Sequence, residues 1–222
     1  MVGSHAISGA LTADELKRLN AIARSQYLPP RASIMTVGEP IDAVANIVAG
    51  VVKLTKSMAD GREQIVGLMF PGDFLGRPFD KLASHNAEAA TDVELCRFPR
   101  PAFETLLKEF PKLELRLFQR TLGELDMARE WMLLLGRKRA DEKIATFLCH
   151  LGRRSGHGAA DQGKVTLILP LTRAEMADFL GLTIETVSRQ LTKLRTAGLI
   201  RTDSQRVVTI PDLRALAQLA GE

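Results

Sequence analysis

Thr172-Arg173-Ala174-Glu175-Met176-Ala177-Asp178-Phe179-Leu180-Gly181-Leu182-Thr183 carries the start, the stop and the restart of two consecutive helices. Thr172 is placed to cap a helix, and Glu175 completes a Thr-x-x-Glu capping box. Gly181 then ends that helix in a tight turn. Thr183 caps the next helix, which carries Val187, Leu191 and Leu194 on a buried face and Glu185, Ser188, Arg189 and Thr192 on another. Two short helices joined through a glycine form the helix-turn-helix pattern.

The outward residues have groove-reading chemistry. Arg189 can donate twice to guanine O6 and N7, Glu185 can accept from cytosine N4, and Ser188 can meet a base or a phosphate, each good bidentate contact discriminating by about 1–3 kcal/mol. Taken singly, each has an ordinary alternative: Glu185 is a first-turn carboxylate favoured by the helix dipole, and Arg189 is a solvated cation. Together, near the N-terminus of a second helix, they predict base reading in a major groove. Downstream, Leu199 to Thr202 and Val207 to Ile210 flank Asp203-Ser204-Gln205-Arg206, a hairpin read as a wing. Lys193, Arg195, Arg201 and Arg206 are the phosphate candidates.

Working outward, Val165 to Leu169 reads as a strand and Ser155 to Gly163 as a polar, Gly-rich loop. Ile144, Phe147, Leu148 and Leu151 mark an amphipathic helix, and the charged run Gly136 to Glu142 suits a hinge. From Pro111 to Arg139 an apolar stripe, Phe118, Leu122, Leu125, Ala128, Met132 and Leu135, repeats at spacings of 3 and 4. A second line, Leu113, Leu117, Met127, Trp131 and Leu134, lies partly around the helix. Two apolar faces need two partners; the economical expectation is one face on the β-rich N-terminal part and the stripe on a second copy, and the alternative is burial inside a larger monomer. After an amphipathic stretch from Thr12 to Arg24, residues Ile34 to Phe98 alternate apolar and polar in short runs broken by turns such as Asp60-Gly61 and Pro71-Gly72-Asp73. The expected fold is α+β: an antiparallel β-roll over 11–110, a long dimerisation helix and hinge over 111–139, and a winged helix-turn-helix over 140–222.

Composition narrows the function classes. Of 222 residues, 45% are hydrophobic and 25% charged, the balance of a globular protein, and no apolar run approaches the roughly 20 residues of a membrane span. The net charge of +4 permits a polyanionic partner. Cys96 and Cys149 are the two cysteines, so a disulfide framework is not expected and the compartment is read as cytoplasm. Without a phosphate-loop, HExxH or GxSxG pattern, and with four scattered histidines, an enzyme has no support. A scaffolding dimer is the remaining alternative, and sequence-specific DNA retention separates the two. Met1-Val2-Gly3-Ser4-His5 looks like a vector remnant, which implies native residues missing upstream.

The motif from Leu180 to Arg189 resembles that of the CRP/FNR superfamily of bacterial transcription regulators, in its FNR and FixK branch, and the resemblance runs from Leu11 onward. Asp60-Gly61-Arg62, Phe74-Leu75-Gly76-Arg77-Pro78 and Ala128 to Lys138 are most similar to FnrL-type proteins of alphaproteobacteria. The resemblance places the family's base contacts on Glu185, Ser188 and Arg189, with a palindrome of TTGAT-like half-sites. It also implies an RNA polymerase contact at the roll loop around Gly61 and Arg62, for which a plain hairpin turn is the alternative. Family members that sense oxygen hold a 4Fe-4S cluster on three N-terminal cysteines and a fourth that matches Cys96, and Ser8 stands where FnrL-type sequences carry the last N-terminal cysteine. Two readings stay open: a shortened, Cys-to-Ser form of an oxygen sensor, or a FixK-like regulator without a cluster. Cys149 matches no family ligand and is read as core. Cyclic AMP binding, which the CRP members of the fold would suggest, is not expected, because Gly72-Asp73-Phe74 offers aspartate for glutamate and no arginine lies around Glu88-Ala89-Ala90. Many FNR relatives have an acidic residue where Ala128 stands, so the seam should close here without a cluster.

Overall fold

The computed structural model describes residues 11–154 and 163–222; the suspected vector remnant, Ser8 and all of the expected 155–163 loop except Gly163 lie outside the described residues. The fold is α+β, and the chain divides into two compact units, Met1–Ala128 and Arg129–Glu222.

The first unit opens with α1 (Ala13–Ile22), where the Thr12 hydroxyl accepts from Glu15 N–H and Glu15 Oε2 accepts from Thr12 N–H at 2.7 Å. Its strands are β1 (Arg24–Leu28), β2 (Ser33–Met35), β3 (Ala43–Ala49), β4 (Val52–Ser57), β5 (Glu63–Met69), β6 (Phe74–Leu75), β7 (Asn86–Ala89) and β8 (Val93–Pro99). They pair antiparallel in two sheets, β1-β8-β3-β6 and β2-β7-β4-β5. Because strand side chains alternate, one face of the first sheet joins the second sheet in a core of small and branched residues, Ala45, Ile47, Val52, Ala87, Ala89 and Leu95. Its other face, with Val44, Phe74, Cys96 and Phe98, is covered by Leu19, by Phe103 and Leu107 of α2 (Arg100–Glu109), and by Leu113. Each large side chain fully buried there contributes about 1.5–3 kcal/mol. The β3–β4 turn is tight enough to require glycine: Gly50 has φ +83°, and a Cβ there would lie 2.0 Å from Asp92 O. Strand pairing starts earlier than Ile34, since β1 already pairs with β8 from Arg24↔Arg97 to Leu28↔Val93.

Helix α3 (Pro111–Arg137) is 27 residues long. It ends at Arg137, inside the charged run Gly136 to Glu142 that suits a hinge, and α4 (Ala140–Arg154) begins after Lys138 and Arg139. The break is held by polar contacts, two of them local and one to the C-terminal helix: Arg139 N–H donates to Glu142 Oε2 at 2.7 Å, and Lys138 Nζ donates to Thr146 Oγ1 and Ala220 O, both at 2.8 Å.

In the second unit follow β9 (Val165–Ile168), α5 (Arg173–Leu180), α6 (Ile184–Thr196), β10 (Arg201–Thr202), β11 (Val207–Ile210) and α7 (Leu213–Ala220). The sheet order is β10-β11-β9. Ile144, Phe147 and Leu148 of α4 are buried, as are Met176, Phe179 and Leu180 of α5, Val187, Leu191 and Leu194 of α6, and Leu216 of α7. The 3–4 spacing of these residues turns one face of each helix inward.

Candidate nucleic-acid interface

Helix α5 starts with the expected capping box: Glu175 N–H donates to Thr172 Oγ1 at 3.2 Å, and Thr172 N–H to Glu175 Oε2 at 2.8 Å. It ends at Gly181, whose φ of +59° is the left-handed conformation that closes such a helix. Thr183 caps α6 by accepting from Thr186 N–H at 3.2 Å. With Val187, Gln190, Leu191 and Leu194 turned inward, Glu185, Ser188, Arg189, Thr192 and Lys193 are left exposed. Arg189 Nη2 reaches back to Thr186 Oγ1 at 3.4 Å. Backbone and Thr183 hydrogen bonds hold the Glu185 carboxyl below its usual pKa, so it is an acceptor at neutral pH.

Beside this face lies a groove of about 430 Å³, lined by the start of α5, by α6 and by the wing. Arg173, Arg195 and Arg206 stand around it with Thr172, Ser188, Thr192, Thr202 and Gln205. Three guanidinium groups and four hydroxyls in one depression suit a phosphodiester backbone. Of the sequence-derived candidates, Ser188, Thr192, Arg195 and Arg206 meet here, whereas Lys193 and Arg201 are exposed but do not line the groove. Arg173 and Gln205 also line the groove and are not among the sequence-derived candidates. Arg173 directly follows a helix cap, where the N-terminal N–H groups of the first turn also favour a phosphate, and that was the available signal.

The helix-turn-helix packs on the end of α3. The Trp131 ring lies 4.5 Å from that of Phe179 and 5.8 Å from that of His150. The seam residues of α3 fall on the exposed side: Phe118, Leu122, Leu125, Ala128, Met132 and Leu135 are all exposed, Met132 at 65%. The second line is turned inward: Leu113 and Leu134 are buried, and Leu117, Met127 and Trp131 are half-buried. Leu135 differs from the rest of its stripe, because its methyl lies 3.7 Å from where a Cβ on Gly181 would stand.

In the first unit, Gly61 and Arg62 form the exposed tip of the β4–β5 hairpin, with Arg62 Nε on Asp60 Oδ2 at 2.8 Å. Asp73 is engaged within the protein: Phe70 N–H donates to it at 2.9 Å, and Arg120 of α3 stands 3.6 Å away. Glu88 pairs with Lys53 at 2.9 Å. Cys96 is buried on β8, opposite Asn46 and Ser25, and desolvation pushes its thiol pKa up. Cys149 is buried in α4 of the other unit. A 4Fe-4S cluster needs four ligands, and the described residues hold no group of three or more metal-ligating side chains. One cysteine thiol opposite an amide does not supply the ligands of that cluster.

A roll carrying a long helix and a winged helix-turn-helix with a basic groove defines a DNA-binding regulator. Residues 142–219 match the Crp-like helix-turn-helix domain, and residues 25–110 match the cyclic nucleotide-binding domain. The chain belongs to the CRP/FNR family of transcription regulators, among its FnrL and FixK types. It is 46% identical to a probable transcriptional activator of Rhizobium leguminosarum bv. viciae, over 96% of this chain and 88% of that protein. It is 42% identical to the transcriptional activator protein FnrL of Cereibacter sphaeroides, over 98% of this chain and 88% of that protein. Among solved structures, FixK2 from Bradyrhizobium japonicum superposes with a TM-score of 0.80 at 34% identity, covering 89% of this chain and 97% of that one. These relatives are regulators and not enzymes, in line with the lack of catalytic patterns in the sequence. No helix among the described residues is long and apolar enough to cross a membrane.

Proposed function

We propose that the chain is a cytoplasmic transcription activator that reads a palindrome of TTGAT-like half-sites as a homodimer, one α6 in each half-site. The observation that carries this is the exposed set Glu185, Ser188 and Arg189 on a helix whose opposite face is buried, next to the arginine-lined groove. Base contacts then supply specificity, and Arg173, Arg195 and Arg206 supply position on the backbone. The parts 11–110, 111–139 and 140–222 act as sensor, dimer helix and reader.

Dimerisation is supported by the exposed α3 stripe. Six apolar side chains at heptad-like spacing on one helix are what a second copy of the same helix covers. Ala128 at the seam puts no like charges opposite each other. The activator role follows the names of the two relatives above, and Gly61 with Arg62 is the candidate contact for RNA polymerase.

For the input signal, the likeness to FnrL supports an oxygen- or redox-responsive regulator whose full-length form carries a 4Fe-4S cluster, and a FixK-like regulator without a cluster is the alternative. The oxygen-sensing reading requires thiolates that are not among these 222 residues. Iron and labile sulfide in the anaerobically purified full-length gene product would establish it.

Selection from a pool of randomised duplexes tests the DNA reading. The expected result is enrichment of a two-fold symmetric sequence with half-site centres about one helical turn apart. A pool without enrichment after repeated rounds contradicts it.

A further inference from the structure

We propose that Lys143 is a positioning residue for DNA reading, setting the angle at which α6 leaves the turn; this rests on the base-reading role given to α6 above. Lys143 lies on α4, beneath the helix-turn-helix, and is only 8% exposed. Its Nζ donates to Leu180 O at 3.1 Å and lies 4.0 Å from where a Cβ on Gly181 would be. Leu180 ends α5, so its carbonyl is one of those that the helix itself leaves unpaired.

A buried ammonium is costly without a carboxylate beside it, and none is paired with Lys143 among the described residues. The C-terminal end of a helix offers partial negative charge that offsets part of the cost. An apolar side chain at 143 would fill the same channel without desolvating a charge. What the lysine adds is a directional tie to the last carbonyl of α5. Gly181, Leu182 and Thr183 alone separate that carbonyl from α6. A small rotation at the end of α5 therefore becomes a displacement of Glu185, Ser188 and Arg189 at the base edges, where bidentate bonds tolerate little error. Contacts to phosphate, spread over flexible arginines, tolerate more.

The test compares wild type, Lys143→Met and Lys143→Arg on a duplex that the wild type selects from a randomised pool and on its scrambled counterpart. Melting temperature is measured alongside, and the fluorescence of Trp131, the chain's single tryptophan, reports on the packing against Phe179. The Met variant should keep or raise the melting temperature, since removal of a buried charge often stabilises. Its affinity for the selected duplex should fall about tenfold or more, with scrambled binding unchanged within about twofold, because base readout is lost while the phosphate term stays. The Arg variant, which can still donate to the carbonyl, should recover the preference to within about threefold. A folded Met variant as selective as wild type overturns the role of Lys143 and leaves base reading by α6 intact. A Met variant unfolded at assay temperature also overturns it, since the lysine would then serve stability and not aim. Wild type that selects no sequence overturns the base-reading role itself, and this proposal with it.

Discussion

Asn46 stands directly across the β3–β8 ladder from Cys96, and neither end of its carboxamide has a hydrogen-bond partner among the described residues although the side chain is 1% exposed. Each buried polar group left unpaired costs about 1–3 kcal/mol. Asn46→Leu, which keeps the number and branching of the heavy atoms and removes both polar groups, is expected to stabilise the protein by about 1–2 kcal/mol in urea unfolding. A loss of stability of that size would mean that the amide has a partner in solution.

The two thiols give a prediction in pH. Burial first, and then the charge of Glu222, push the Cys149 pKa from 9.0 up to about 11, and burial also raises that of Cys96. A folded-state pKa above the unfolded value means that the fold favours the neutral thiol. That stabilisation is fully present below pH 9 and is lost as pH rises from 9 towards 11. The urea midpoint should fall across this window, and less steeply for Cys149→Ala. At pH 8 the native protein should react slowly with a disulfide reagent and quickly once unfolded.

Gly181→Ala separates backbone strain from crowding. The new methyl has room, with Leu135 at 3.7 Å, but φ is +59°. An L side chain in that region costs about 1–2 kcal/mol. Thermal unfolding should show a destabilisation of that order, and a neutral result would show that the turn relaxes.

Arg189 and Arg206 are expected to fail differently. Arg189→Ala should lose about 1–3 kcal/mol on the selected duplex and relax preference at one base pair. Arg206→Ala should weaken selected and scrambled DNA alike and lower the slope of log K against log salt by about 0.9. Titrations at several salt concentrations distinguish the two patterns. Equal loss on both duplexes for Arg189→Ala would move that residue to the phosphate class.

Leu122→Glu places a carboxylate against its symmetry mate in the α3 seam. Sedimentation should show the wild type as a dimer and the variant shifted towards monomer, with weakened palindrome binding. A monomeric wild type at high concentration would leave the stripe without its proposed occupant.

The helix-turn-helix is legible because local chemistry specifies it. Thr172 with Glu175, Gly181 and Thr183 each act within a few residues, and the structure shows those caps and that turn. The long helix was legible for the same reason, and the split between exposed Phe118, Leu122 and Met132 and inward Leu113 and Leu134 follows its periodicity. What the sequence left unread is non-local. The strand β1 is recognisable through its pairing with β8, some seventy residues on. Arg173 joins Arg195 and Arg206 because α5, α6 and the wing fold together. The contact of Lys143 with Leu180 spans 37 residues and leaves no pattern in either helix alone.

Sequence-specific binding is measured as the affinity of the wild-type chain for a palindrome of two TTGAT half-sites against a scrambled duplex of equal length at about 150 mM salt. Groove reading by Glu185, Ser188 and Arg189 predicts a preference of about a thousandfold or more for the palindrome. Equal affinity for the two duplexes would contradict it.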